Sequence, residues 1–499
     1  MIIAGFDISK SRFLPYYYKV WKRQRVWRKK LKQLSHIDNS ERCLQIANDL
    51  ATSAVFTSNG YWSSGTLEQV YLDCAKQIPD VKCHPIEKNY LHVLTQCYCT
   101  GGHTRVVERW INSSPSDEVH SVILLNQEEE KVPDWLLKAV ERHNGFFIQL
   151  NEPNQINRAA KLREVASHYS KVILHVHMND GTPIIAFGVE SFTSPVIFYN
   201  HADHVFWLGA SIADIVADIR FNTKSTEYRN VNDATFVGIP PAINSCERKR
   251  DEFVRDDIKK ELAIEDKFTI ITTAGQSKLL PFESIDYVQF LLPLIQKNDN
   301  VIVLVIGAQK ESKYWKNAFS QSKGRIVALG EIRDKDRYEN LLQVADLYLG
   351  SLPFASFTAM KDAVEYGAPF LQMLVMRQKN TTWGISKNEL NSDLWPQTPI
   401  LLQQNLGKAI KDKIFYEKLQ QESHDWLLEY NDFENWKKAL KELYKRCPTK
   451  HRVYSVGENV VINDECVTNN ILYGQGLVSF GNRFLRGLSS KWISHRLNK

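Results

Sequence analysis

The sequence predicts an α/β protein made of two doubly wound, Rossmann-like domains in tandem, with a helical N-terminal extension and a C-terminal tail. Three observations lead there. The chain has 499 residues, more than one hydrophobic core ordinarily supports. Its 43% hydrophobic and 24% charged residues are those of a globular protein and argue against extensive disorder. Short β-rich runs alternate with amphipathic helical stretches twice over, the pattern of parallel sheets with crossover helices.

The N-terminal extension is read as residues 1–88. From Lys10 to Lys32 it carries ten basic residues, six aromatics and no acidic residue. Val20, Trp27, Leu31 and Leu34 fall near one helical face there. Such a helix suits an anionic membrane surface, or a face packed on the protein itself. Nucleic acid would suit the charge, but no nucleic-acid module follows and none is expected as a partner. Residues 36 to 88 read as mostly helical.

The first α/β unit spans 89–240, with strands in "NYLHVLTQCYC", "SVILL", "GFFIQL", "KVILHVHM" and "SPVIFYN". The second spans 241–425, with strands in "KFTIITTAG", "NVIVLVIG", "RIVALG", "LYLGSL" and "PFLQML". The segment "VGIPPAINSCERKRDEF" is the linker between them. Terminal helices follow over 426–450. An extension over 451–499 ends in a second basic amphipathic stretch, with Gly487 weakening its helical character.

The net charge is a modest +6, much of it at the two ends. No apolar run approaches the roughly 20 residues of a membrane-spanning helix, and no apolar signal core opens the chain. A cytoplasmic protein is expected, peripheral on the inner face of the membrane if its basic ends act there. The eight cysteines (Cys43, Cys74, Cys83, Cys97, Cys99, Cys246, Cys447 and Cys466) lack zinc-ligand spacing and read as reduced. Cys97 and Cys99 alternate within a predicted strand and read as buried.

Chemistry-bearing residues collect at strand ends, where doubly wound sheets bind ligands. "CTGGHTRVVERW" puts Gly101 and Gly102 at a strand-to-helix turn, with His103, Thr104 and Arg105 at the cleft mouth. "LHVHMNDGTP" and "YNHADHVFWLG" add His175, His177, Asn179, Asp180, His201, Asp203 and His204. One of these could take the proton of a hydroxyl or amide nucleophile; a metal site competes as a reading but lacks a supporting ligand cluster. In the second unit, "TTAGQSKLLP" supplies Gly275, Gln276 and Lys278, whose ammonium suits a leaving diphosphate. "RIVALGEIR" adds Gly330 and Glu331. After "LYLGSL", Thr358 and Ala359 stand at a helix start, Asp362 one turn on, and Gly367 closes the helix. A helix N-terminus with a hydroxyl can cradle phosphate, and a carboxylate one turn in can accept ribose hydroxyls. A capped surface helix would satisfy the same spacing.

The order of these elements resembles the donor half of GT-B glycosyltransferases. The pattern T-x-x-x-D-x-x-x-x-G-x-P, over Thr358, Asp362, Gly367 and Pro369, is similar to the O-GlcNAc transferase and bacterial protein N-glycosyltransferase group. So is a lysine three residues before a proline, as Lys278 stands before Pro281. "GGHTR", "HMNDG" and "VFWLG" resemble further elements of that group, and the likeness covers about residues 90 to 440. It implies a nucleotide diphosphate-sugar donor, UDP-linked by the group's habit, with no metal or other cofactor. Thr358 would bind phosphate, Asp362 the ribose, and Lys278 the departing diphosphate, while His103 would lie on the acceptor side. Phe357 stands where O-GlcNAc transferases carry histidine, and no tetratricopeptide superhelix precedes the domain. The E-x7-E pattern of many retaining enzymes is absent, with Ala355 and Asp362 at the nearest positions, which favours inversion.

The sequence reading is therefore a glycosyltransferase. Its donor set is Gly275, Gln276, Lys278, Gly330, Glu331, Thr358, Ala359 and Asp362. Its base comes from His103, His175, His177, Asp180, His201 and His204. The acceptor is a glycan, a lipid-linked glycan or a polypeptide, with surface polysaccharide or glycoconjugate synthesis favoured. Rival readings are an epimerase or phosphorylase of the same fold, or a non-catalytic component of a polysaccharide assembly complex.

Overall fold

The computed structural model describes residues 2–3, 6–7, 14–34, 37, 40–99, 102–128, 131–219, 225–241, 249–281, 286–352, 355–373, 392–431 and 433–462. Two parallel sheets organise it. The first is built from β1 (Ile86–Leu94), β2 (Val119–Leu124), β3 (Phe147–Gln149), β4 (Tyr169–His175), β5 (Val196–Asn200), β6 (Ile215–Asp218) and β7 (Ala234–Phe236). They lie in the order β7-β6-β5-β4-β1-β2-β3, each pair parallel. The chain winds outward from β1 to β3, then returns to lay β4 on the other side of β1. That reversal opens a crevice at the carboxyl ends of β1 and β4.

The second sheet repeats the plan with β8 (Phe268–Thr273), β9 (Val301–Ile306), β10 (Ile326–Gly330), β11 (Leu347–Leu349) and β12 (Phe370–Leu371). Its order is β10-β9-β8-β11-β12, again parallel, with the reversal between β8 and β11. All six residues of β9 are buried. Helices cover both faces of such a strand, so its sequence is continuously apolar instead of alternating. Side-chain caps start several of those helices. Asn154, Asp251, Asp286 and Asp334 each accept a backbone N–H from the first turn that follows, a contribution of about 1 kcal/mol apiece.

Of the two readings of the first basic helix, the structure realises packing on the protein. Helices Leu14–Leu34, Ser40–Phe56 and Gly65–Ala75 place Trp27, Leu31, Leu34, Leu44 and Leu50 in the same core as Leu91, Leu174 and Phe198 of the first sheet. The Trp27 indole donates to the Leu50 carbonyl at 2.9 Å. The apolar stripe is thus already covered, while Lys19, Lys22, Arg25, Arg28, Lys29 and Lys30 remain exposed.

The chain also crosses back to the first domain near its end. Helix Phe433–Arg446 packs Trp436, Leu440 and Leu443 against Tyr90, Trp110 and Tyr199, and the Trp436 indole donates to Ser113 Oγ at 2.8 Å. Residues Glu458–Val460 then pair antiparallel with Tyr61–Ser64. The second basic stretch lies outside the described residues, as do Gly101, Cys246 and Cys466. β1 stops at Leu94, so Cys97 and Cys99 belong to the turn after it, not to the strand the sequence predicts; Cys97 is buried there. Among the described residues no helix is long and apolar enough to cross a membrane.

Candidate functional site

The two domains touch where two helices begin. Gly102–Ser113 follows β1 and Phe357–Glu365 follows β11. A Cβ on Gly102 would stand 2.7 Å from Thr358 Oγ1, so glycine is what allows one helix start to approach the other. Two turns further in, on the same helix face, Arg109 donates from Nη2 to Asp362 Oδ1 at 2.7 Å, with both side chains largely buried. This ion pair ties the domains together and engages one oxygen of the Asp362 carboxylate, Oδ1. Arg109 escaped the sequence reading, although its seven-residue spacing from Gly102 is the signal that puts both on one face.

The residues of the expected donor set lie along the carboxyl edge of the second sheet. Lys278 closes a short turn, Gln276–Lys278, and its Nζ donates to the Ala355 carbonyl at 3.3 Å. That brings it to the loop leading into Thr358. Ser356, at the N-cap, makes no side-chain capping bond, which leaves first-turn N–H groups at Thr358 and Ala359 for another acceptor. Gly330 ends β10 with φ +82° and accepts from Gly307 N–H at 2.7 Å. Gly307, missed in the sequence, has φ +89°, and a Cβ there would meet the Ala274 carbonyl at 2.2 Å. Ala274, Gly307 and Gly330 thus form a close backbone rim beside Gly275, with Glu331 exposed next to it. Gln276 lies beside that rim. Its Oε1 accepts from Gln309 N–H at 2.8 Å and the Trp315 indole at 3.0 Å, so it braces the loop.

On the opposite wall the structure gathers His103, His175, His177 and His201. The His103 ring centroid lies 4.3 Å from that of His201 and 6.1 Å from that of His177, and His175 and His201 are 5.2 Å apart. Burial keeps all four neutral. It lowers the His103 imidazole to about 3, with His177 adding to the effect, and it pushes His175 and His201 well below their ordinary value. His177 is lowered by burial too, against the pull of Asp180. Among the described residues neither ring nitrogen of His103 has a partner at full hydrogen-bond geometry, although the His175 backbone lies near enough to oppose the lowering. Tyr98 donates its hydroxyl to Gln96 Oε1 at 2.7 Å, so His177 Nε2, 2.9 Å away, must donate to Tyr98.

Asp180 and His204 have partners of their own. Asp180 Oδ2 accepts from Thr95 Oγ1 at 2.6 Å and Oδ1 from Thr182 N–H at 2.9 Å, which makes it a brace at the start of helix Thr182–Phe187. His204 Nδ1 faces Asp203 at 3.4 Å. The two glycine elements of "HMNDG" and "VFWLG" also have packing reasons. A Cβ on Gly181 would strike the Tyr71 ring at 2.2 Å. Gly209, at φ +120°, donates its N–H to Glu68, as do Ala210 and Ser211. Arg105 lies over the Trp135 ring, 3.8 Å from its centroid. Among the described residues no group of three or more His, Cys, Asp and Glu side chains is disposed to hold a metal.

No known protein family and no curated protein matches the sequence. In structure, the chain is similar to HepE of Anabaena in complex with UDP and glucose, at a TM-score of 0.53 and 13% identity over 71% of this chain and 99% of that one. It is similar to the same protein in complex with UDP-glucose at a TM-score of 0.51 and 15% identity, with the same coverage. A variant of the Thermobaculum terrenum O-GlcNAc transferase matches at a TM-score of 0.49 and 11% identity, over 84% of this chain and 80% of that one. The chain has the GT-B fold: two Rossmann-like domains facing each other across a cleft.

Proposed function

We propose that the protein is a glycosyltransferase that takes a sugar from a nucleotide diphosphate donor, UDP-linked, bound on its C-terminal domain. The observation that carries this is the contact of Gly102 with Thr358, with Lys278 bonded to the loop just before Thr358 and His103 following Gly102 in the facing helix. Thr358 and Lys278 suit a diphosphate: free helix N–H groups, a hydroxyl and an ammonium offset the leaving-group charge without a metal. The second wall offers imidazoles held in the neutral form, whose ring nitrogens can accept a hydrogen bond from an acceptor's hydroxyl. HepE, solved with UDP and with UDP-glucose, supports UDP as the nucleotide. A base facing the donor across the cleft favours direct displacement with inversion.

The acceptor is a glycan, with surface polysaccharide or glycoconjugate synthesis the favoured setting. The exposed basic face of helix Leu14–Leu34 would hold the enzyme against anionic lipid. Incubation with UDP-glucose and UDP-N-acetylglucosamine, with oligosaccharide and peptide acceptors, tests the reading. Transfer with an inverted anomeric bond is expected; neither transfer nor donor hydrolysis in any combination contradicts it. Flotation with vesicles containing anionic lipid tests the membrane part, and no binding at low salt removes it.

A further inference from the structure

A single file of titratable side chains crosses the interior of the N-terminal domain, and only its far end belongs to the cleft. Glu118 stands just before β2 at the amino edge of the sheet. His120 follows in β2, His92 in β1, His175 at the end of β4, and His201 just past β5. His120 Nε2 lies 3.4 Å from Glu118 Oε2, and His120 Nδ1 lies 2.9 Å from His92 Nε2. His92 Nδ1 lies 3.1 Å from His175 Nε2, and His175 Nδ1 lies 3.0 Å from His201 Nε2. The three interior rings are fully buried and use both nitrogens, while Glu118 and His201 are half-buried. Apolar residues at 92, 120 and 175 would need no such partners, as Leu91, Leu94 and Leu174 beside them illustrate.

The file has a direction. Burial, reinforced by neighbouring imidazoles at His92, His175 and His201, pushes all four histidines down, so each ring carries one proton. An ionised Glu118 only accepts, which sets the proton of His120 on Nε2 and makes its Nδ1 an acceptor. The same logic repeats at His92, His175 and His201. It ends with His201 Nδ1 as a bare lone pair, beside His103 at the cleft.

We propose that this file is a proton relay that makes His201 Nδ1 the base of the cleft and carries the acceptor's proton charge to Glu118 on the opposite edge of the sheet. The proposal rests on the transferase reading. As the acceptor oxygen bonds to the anomeric carbon, its proton passes to His201 Nδ1, and the bond to the diphosphate breaks with its electron pair leaving on the diphosphate. Each Nε2 proton moves to the next acceptor, and Glu118 ends as a neutral carboxyl. No imidazolium is left in the desolvated interior. When products leave, the hops reverse and His201 gives the proton to water entering the cleft. His175, His92, His120 and Glu118 are positioning residues that act through His201.

Glu118→Gln separates relay from scaffold, because the amide oxygen still accepts from His120 Nε2 yet takes no proton. With the UDP-sugar that the wild type turns over, the variant is expected to lose about a hundredfold in kcat, the scale of general base catalysis, with donor KM unchanged. An unchanged kcat overturns the relay. Nitrogen NMR of the ¹⁵N-histidine-labelled protein provides a readout independent of activity. Protons on Nε2 at His92, His120, His175 and His201 support the relay, and a proton on Nδ1 at any of the four overturns it. If the wild type transfers nothing from UDP-glucose or UDP-N-acetylglucosamine, the transferase reading fails by itself and the NMR pattern decides the relay.

Discussion

Helices Gly102–Ser113 and Phe357–Glu365 start at the same cleft from opposite domains, and their surroundings differ in kind. Behind the first lie His103, His177 and His201, neutral because burial makes charge costly. Around the second lie uncapped backbone N–H groups, the Thr358 hydroxyl and Lys278, which favour negative charge. One fold, used twice, thus produces a wall of neutral imidazoles that offer lone pairs and a wall suited to holding an anion. The Arg109–Asp362 bridge fixes one against the other.

Acid should break the first wall before the second. His92, His103, His120, His175, His177 and His201 are all lowered by burial, so the unfolded chain binds protons near pH 6.5 that the native state refuses. Stability is full above that pH and falls as pH drops below it, by up to ~1.4 kcal/mol per histidine per pH unit. Against a total of roughly 5–15 kcal/mol, unfolding is expected within about two pH units below 6.5. Urea denaturation at stepped pH measures this, and equal stability at pH 7 and pH 5 contradicts it.

Next in size is the bridge itself. Arg109→Ala leaves Asp362 buried without its partner and is expected to cost about 3 kcal/mol. The double variant Arg109→Leu with Asp362→Leu should lose less than either single change, since no charge is left unpaired. Chemical denaturation of the three proteins decides, and additive losses would rule out the coupling.

A smaller effect is expected where the helices touch. Gly102→Ala drives a methyl group against Thr358 Oγ1 and displaces that hydroxyl, weakening UDP by about 1 kcal/mol, roughly fivefold. Calorimetry reads the change, and undiminished affinity means the hydroxyl does not touch the nucleotide. The smallest effect is Arg105→Gln, about 0.5–1 kcal/mol of stability from the lost contact with Trp135. UDP affinity should fall less than in Gly102→Ala, because that guanidinium rests on the Trp135 indole and feels Asp362 only through charge.

The strands of both domains are legible where apolar residues dominate, as in β9, which is apolar throughout. The last two strands at one side of the first sheet, β6 and β7, are not legible, being short and set among turns. Helix positions could be read one face at a time, which located Thr358 and Gly367. A face does not reveal what stands opposite it, so the pairing of Asp362 with Arg109, 253 residues away in sequence, is not legible there. The hydrogen bonds of Asp180 and Gln276 are hidden for the same reason. His92 and His120 were invisible as a set. Each alternates with apolar residues in its own strand, and only the parallel register of β1, β2 and β4 lines them up with His175.

The most direct test is calorimetric titration of the full-length protein with UDP, beside its Lys278→Ala variant checked for native folding. Saturable binding of one UDP per chain is predicted for the wild type, with at least about tenfold weaker binding in the variant, a difference of ~1.4 kcal/mol. Equal affinity in the two proteins, or no binding by the wild type, would contradict a donor site at the Thr358 helix.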